Sequence, residues 1–460
     1  MENKLSEKLQ YKKKSVYESA DAERINKAKE YAEDYKKYLD ASKTEREAVA
    51  QSIAMAERFG YTEYFIGDKI SAGDKKYYNN RGKNLFLFSV GTEPINNGIR
   101  ICAAHIDAPR IDLKQCPLYE DDGMAFFKTH YYGGIRKYQW LATPLSIHGV
   151  VAKADGSVID ISVGEDDNDP VFYINDLLPH LAHKQGRTPI DEAIDGEKLN
   201  ILVGSEPYEE DGEGSIKLNV LRLLNEKYGI TEEDFFSAEL CVVPSAKARD
   251  IGFDRALIGA YGHGDRVCAY PALTALLEAS DSTHTNLCIL ADKEETGSDG
   301  NSGMQCELMI DLINELAANL GGNPALVRAN SKCLSADVSA AYDPNFSEVY
   351  EKKNSAILSC GVVLTKFTGS RGKSSTNDAS AEFIAYLRSV FAKEDVIWQT
   401  AELGRVDCGG GGTVAKYISK HNIDTVDLGV PVISMHAPYE AISKVDLYEA
   451  YRAMLAFYKY

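Results

Sequence analysis

No two cysteines of this chain form a CxxC pair, although it holds nine of them. Scattered single thiols in odd number give no disulfide framework and suit a reducing compartment. Cys102 and Cys288 sit in apolar, strand-like runs, where a thiol packs as a small hydrophobe. Proline is scarce as well, 14 in 460 residues, and with 44% hydrophobic content this excludes a disordered chain. Long apolar runs are missing: none approaches the roughly 20 residues a membrane span needs. The opening MENKLSEKLQYKKK has lysines but lacks the apolar stretch of a secretory signal. Basic residues are outnumbered, 51 against 69 acidic ones, for a formal charge of −18. Such a surface repels phosphate backbones and anionic lipid, so no nucleic acid and no membrane is expected as a partner. A cytoplasmic protein is the expectation, with some of its carboxylates gathered at a cation site.

At this length two domains are expected. Residues 5–60 read as helices: Tyr31, Tyr35 and Leu39 recur at helical spacing, then Val49, Ile53 and Ala56. Asp40 or Ser42 would cap the second helix and Gly60 would end it. From Asn84 the period changes, and NLFLFSVG and GIRICAAHID look like buried strands bounded by glycine. Residues 108–245 differ in texture. PLSIHGVVAKADGSVIDISVGE alternates like antiparallel strands about a turn at Asp155-Gly156. A helical stretch near Leu177, an acidic segment EPYEEDGEGS and a helix from Ile216 to Lys227 follow. After Ser245 strand and helix alternate again, with helices at Pro271–Ala279 and Met304–Leu320 around a strand at Leu287–Ala291. The prediction is an α/β fold: a mainly parallel sheet with helices on both faces, built from 1–107 and 246–460, interrupted by a β-rich insert at 108–245.

The chemistry concentrates where apolar runs end. His105 and Asp107 in CAAHIDAPR offer an imidazole and the carboxylate that would orient it. In ILADKEETGSDGNSG the strand runs into Asp292, Glu294 and Glu295, and functional groups of open α/β sheets sit at such strand ends. At the bend one glutamate can ligate a metal while its neighbour approaches the attacking water. Asp337 follows ANSKCLSA, His436 ends the run from Leu428 to Met435, and Asp265 lies in the glycine-rich GAYGHGDR before a helix. Singly, each also reads as an ordinary polar residue. Together they supply imidazole and hard oxygen ligands without thiolate, a set suited to zinc, manganese or cobalt in a hydrolytic centre. Two divalent ions sharing a carboxylate and a water would use the whole set.

The order HxD, GDR, EETGS, SADVS, SMH resembles the aspartyl aminopeptidase/aminopeptidase I family of dinuclear metallo-aminopeptidases, in its bacterial branch. The resemblance spans nearly the whole chain, including the insert and TKFTGSRGKSSTNDASAEF. It implies that Asp265 bridges two divalent metals, most simply zinc. His105 and Asp337 would complete one metal site and Glu295 and His436 the other. Glu294 would be the general base toward a metal-bridging hydroxide, with Asp107 supporting His105. It also implies a cis peptide after Asp265, and peptide substrates with a free N-terminus. The insert would pair subunits, and dimers would assemble into a tetrahedral dodecamer. His180 or His183 of LLPHLAHKQ would reach a neighbouring active site. Lys366, in a cluster with Arg371 and Lys373, aligns with a substrate-contacting lysine. Gly411 in DCGGGGTVAKY offers backbone amides to substrate. The competing expectation is a carboxypeptidase or N-acyl amino acid deacylase on the same scaffold, with Arg110 or Arg405 clamping a substrate carboxylate.

Overall fold

After one short turn of helix, Val16–Ser19, come two long helices whose caps show why they start where they do. The first, Ala22–Asp40, is capped by Asp21, whose carboxylate accepts from the Arg24 amide, and buries Tyr35, Tyr38 and Leu39. The second, Glu45–Arg58, begins with a capping box in which Thr44 and Glu47 satisfy each other's amides. The cap is therefore Thr44, and neither Asp40 nor Ser42. A glutamate three residues on makes Thr44 the stronger cap. The computed structural model describes residues 5, 9–210, 213–279 and 282–460. Residues 6–8 of the expected helical start, and 211–212 of the acidic segment, lie outside the described residues.

Both helices pack on a nine-stranded sheet. At its centre Thr285–Ala291, Ile99–His105, Lys332–Ala336 and Asp424–Gly429 run parallel side by side. The hairpin Lys75–Asn80/Asn84–Ser89 joins one side antiparallel, and Val362–Thr365 joins the other antiparallel. Alternate residues divide between two cores. Cys102, Ala104, Cys288 and Leu290 face the long C-terminal helix Lys444–Lys459 and the helix Ala269–Glu278. Ile101, Ala103, Leu287 and Ile289 face Leu308–Asn319. Period-two alternation in continuously apolar strands is what a sheet covered on both faces requires. All nine cysteines are unpaired.

A seven-stranded antiparallel sheet forms from strands between Arg110 and Pro244. Its hairpin Leu145–Ala152/Val158–Val163 turns at Asp155-Gly156, where Gly156 has φ +89° and the Asp155 carboxylate accepts from the Ser157 amide. The helix Ile216–Tyr228 lies on this sheet and ends at Gly229 in the left-handed region. No helix forms at Leu177. Residues 175–184 are turns and irregular chain with Leu177, Leu178 and Leu181 exposed, so the apolar spacing there has no core to bury against.

A five-stranded sheet not legible in the sequence completes the fold. The apolar run 428–435 is not one strand: it leaves the large sheet at Gly429 and re-enters this small one as Pro431–Ile433. Leu257–Ala260, Glu440–Ser443 and Pro431–Ile433 pair here, and the turns they carry present Asp265 and His436. Among the described residues no helix is long and apolar enough to cross a membrane.

Candidate metal centre

In the parallel register Ala291 pairs with His105, so these two strands end level with each other. Past that edge His105, Glu294 and Glu295 bring potential ligand atoms within 4.8 Å of one another. His105 Nε2 is 3.6 Å from Asp337 Oδ1, and its Nδ1 is 3.8 Å from Asp265 Oδ1. His436 Nε2 is 3.3 Å from Glu295 Oε1. The five expected ligands and Glu294 therefore meet at one place, beside a cavity of about 280 Å³ lined by His105, Glu294, Glu295, Asp337 and His436.

Local conformation aims each group. Gly262, φ +79°, lets the chain turn into the short helix His263–Arg266 that holds Asp265. A Cβ at Gly262 would lie 2.1 Å from Arg266 Nη1, so only glycine fits. Lys293 at φ +70° and His436 at φ +66° are non-glycine residues in the left-handed region, one just before Glu294 and one an expected ligand. Non-glycine residues held in that region commonly mark functional sites. The Asp265–Arg266 peptide is trans, which corrects the expected cis bond: Arg266 sits in a regular helical turn and its amide donates to the Gly262 carbonyl.

Both imidazoles have one nitrogen engaged by backbone. His105 Nδ1 donates to the Asp107 carbonyl at 3.1 Å, and His436 Nδ1 donates to the Gly134 carbonyl at 3.0 Å. Each therefore presents Nε2 to the carboxylates, the tautomer a metal ligand needs. Asp107 itself is fully buried and does not enter the cavity. Its carboxylate accepts from the amides of Glu294 (3.0 Å) and Glu295 (3.2 Å) and from the Tyr132 hydroxyl (2.7 Å). Asp292 also turns away, accepting from Ser302 Oγ at 2.5 Å.

The electrostatics describe a centre short of positive charge. Burial, reinforced by Asp337, Asp107 and Asp265 and opposed by His105, pushes Glu294 up to about 8. Burial and the Asp265 charge hold Glu295 well above the usual carboxylate range. Burial raises Asp265, with His105, Arg266 and His436 opposing. Burial disfavours a charged His105, but the carboxylates of Asp107, Asp337 and Glu294 outweigh it and raise its pKa well above the ordinary value. Asp265 Oδ1 is buried with no hydrogen-bond partner. Carboxylates converging with no ion pair to a lysine or arginine among the described residues, one carrying an orphaned oxygen, fit divalent cations. The residues present are a donor set for such ions.

The remaining expected residues divide. Gly411 lines the cavity with Gly410 and Gly412. Lys366 does not: its ammonium pairs with Asp378, which Lys373 also holds at 2.9 Å, while its neighbours Thr365 and Thr368 face the cavity. His180 and His183 are exposed, on turns instead of the expected helix, and take no part in this chain's cavity. Arg110 is buried between Glu45 (2.7 Å) and Asp112 (2.8 Å) and is not free to clamp a carboxylate, while Arg405 is exposed, donates one N–H to the Glu348 carbonyl and does not line the cavity.

Three further groups have no signal beyond ordinary acids or aromatics in turns. Tyr132 supports Asp107. Glu440 accepts from the amides of His436 (2.8 Å) and Gly264 (3.0 Å), tying two ligand turns together. Asp427 sits buried in the cavity wall, accepting from Thr413 Oγ1 at 2.7 Å, and burial pushes it up to about 7. The glycine pair after Tyr132, a turn signal, is the one cue that could have drawn attention to the first of them.

Comparison with known proteins places the chain in a family. Residues 38–458 match the family model described as aminopeptidase I zinc metalloprotease (M18). A probable M18 family aminopeptidase 1 of Clostridium acetobutylicum is 48% identical over 454 residues, covering 96% of this chain and 97% of that one. The crystal structure of an M18 family aminopeptidase from Thermotoga maritima superposes with a TM-score of 0.93 at 42% identity, covering 98% of this chain and 100% of that one. The dodecamer of S. cerevisiae mApe1 shares the fold at 21% identity and a TM-score of 0.77, covering 93% and 96%.

Proposed function

Since this chain belongs to the aminopeptidase I zinc metalloprotease (M18) family and is a metallo-aminopeptidase, we propose that two divalent ions, zinc in the first instance, are held by five of its side chains. These are His105, Asp265, Glu295, Asp337 and His436, with Asp265 between the two sites. The observation that carries this is the buried, unpartnered Asp265 Oδ1 facing the gathered carboxylates. Bound there, such ions would supply Lewis acidity, lowering the pKa of water and polarising a carbonyl.

The chain's own groups do the rest. Glu294 projects into the cavity beside His105, on a turn whose amide is fixed by Asp107. It accepts the proton of the attacking water and delivers it to the leaving amine. Asp107 keeps His105 and the Glu294-Glu295 turn in register. The amides of Gly410 to Gly412 lie along the cavity wall, where they can hold substrate backbone. No lysine or arginine lines the cavity among the described residues, whereas Val338, Thr365, Leu403 and Met435 do. This supports removal of an uncharged first residue in preference to an acidic one, and leaves Lys366 outside the recognition pocket.

The carboxypeptidase or deacylase reading is not favoured, because neither candidate clamp lines the cavity and Arg110 is already paired with Glu45 and Asp112. We place the catalytic unit at 1–107 and 246–460 and a pairing insert at 108–245, with His180 or His183 exposed for a neighbouring subunit. A cytoplasmic, tetrahedral dodecamer assembled from six dimers is the corresponding assembly. A panel of amino-acid nitroanilides with metal-replete enzyme tests the activity: leucine or alanine cleavage well above aspartate is expected. Hydrolysis of acyl-amino acids in place of nitroanilides would overturn it. A native mass of a single subunit would overturn the assembly.

A further inference from the structure

The two halves of the centre are held by one short segment that belongs to the seven-stranded sheet. Tyr132 ends the strand Met124–Tyr132 and pairs across it with Arg110. Its hydroxyl donates to Asp107 Oδ2 at 2.7 Å. Its ring is gripped by cations, with the Arg110 guanidinium carbon 4.2 Å and Lys293 Nζ 5.4 Å from the centroid. Gly133 follows with φ +73°, and a Cβ there would lie 3.3 Å from both Cβ and Oε2 of Glu295. Gly134 then offers the carbonyl that takes the His436 Nδ1 proton at 3.0 Å. Three consecutive residues thus reach Asp107, Glu295 and His436.

We propose that Tyr132-Gly133-Gly134 is the positioning element of the metal centre, with the Tyr132 hydroxyl fixing Asp107 and the Gly134 carbonyl fixing His436. This rests on the metal-centre reading above. Asp107 is fully buried, so its oxygens have no water to turn to. The tyrosine hydroxyl and the amides of Glu294 and Glu295 are the hydrogen-bond donors to its carboxylate among the described residues, and His105 Nδ1 lies 3.6 Å away. Removing the hydroxyl leaves a buried carboxylate short of one donor and free to rotate. The turn it holds carries both glutamates, so a displaced Asp107 moves the base and a ligand together. Gly134 orients the second imidazole from the same backbone. The ligand geometry of both metal sites therefore depends on a strand end of the other sheet.

The test compares Tyr132→Phe with Tyr132→Leu. Phenylalanine keeps the ring against Arg110 and Lys293 and loses only the hydroxyl. Zinc affinity of chelator-stripped protein is measured by competition with a chromogenic chelator, and kcat and KM by nitroanilide hydrolysis at saturating zinc. Tyr132→Phe should weaken zinc binding by about 10- to 100-fold and lower kcat with KM changed less than about twofold, at unchanged native mass and circular dichroism. Wild-type zinc affinity and kcat in Tyr132→Phe, with loss confined to Tyr132→Leu, would reduce Tyr132 to ring packing and overturn the proposal alone. A wild-type chain that binds no divalent ion would overturn it together with the metal-centre reading.

Discussion

Replacing Glu294 by Gln keeps the shape of the side chain and removes both its charge and its ability to take a proton. Two effects of opposite sign follow. The first is on rate. A positioned general base contributes about 10²- to 10⁴-fold, so kcat should fall by that factor. Metal content should persist, because none of the five ligands is touched. The second is on stability in chelator. Burial, with Asp337, Asp107 and Asp265, lifts Glu294 from 4.5 to about 8. A folded-state pKa raised above the unfolded one costs nothing below about pH 4.5 and destabilises progressively as pH climbs toward 8. At about 1.4 kcal/mol per unit, the cost is on the order of 3 kcal/mol at pH 7 and roughly 1 kcal/mol at pH 5.

Glutamine does not ionise and escapes that cost. In chelator at pH 7, Glu294→Gln should therefore unfold at higher urea than wild type, and the gap should narrow at pH 5. Nitroanilide hydrolysis, metal analysis and urea unfolding at the two pH values read all three quantities on one pair of proteins. A variant that keeps most of its kcat removes Glu294 from proton transfer. A stability gap that does not shrink on acidification refutes carboxylate crowding as its source.

Three further substitutions probe the recognition pocket, the ligand turn and the scaffold. Lys366→Ala should change kcat/KM for leucine and aspartate nitroanilides by less than about threefold, since its ammonium pairs at the surface with Asp378 and exposed pairs are worth about 0–1 kcal/mol. A selective collapse of aspartate cleavage would return Lys366 to the pocket. Gly262→Ala forces a side chain into φ +79° and against Arg266, a strain on the order of 1–3 kcal/mol. It should cost metal affinity through Asp265, measurable by chelator competition. Arg24→Ala strands Glu449, which is buried and accepts from Arg24 Nε at 2.7 Å, so urea unfolding should show a loss of about 3–5 kcal/mol. Activity of the folded fraction should be unchanged.

The candidate ligands were legible because their types are costly to bury without a partner. His105, Glu295, Asp337 and His436 follow apolar runs and Asp265 lies in a glycine-rich turn, and their order along the chain is specific even though each alone is ordinary. The parallel centre of the large sheet was legible too, from β-rich runs alternating with helical ones. Chain-reversing detail was not. The run 428–435 is mostly apolar because both sheets it visits are buried, and only Gly429 and Pro431 mark the change of sheet, Pro431 being the first residue of the second strand. The apolar spacing near Leu177 resembles a helix face but has no core opposite it, and tertiary context decides such segments.

Supporting residues are illegible for a different reason. A ligand declares itself by what it can bind, whereas Glu440 and Tyr132 matter through what they hold, and those partners are distant in sequence. Glu440 reads as an acid in a turn until the fold places the Gly264 amide against it. The insertion point explains why Tyr132 belongs to this class. The chain leaves the parallel sheet at His105 and enters the antiparallel one at Arg110, so the crossing happens at a proposed ligand. Any unit inserted there must pass its first strands along the wall of the centre, and Tyr132 is the partner of Arg110 on the second of them. The insert therefore cannot be a detachable pairing module. A substitution that loosens the 110–132 strand pair should be read in metal affinity before it is read in subunit assembly.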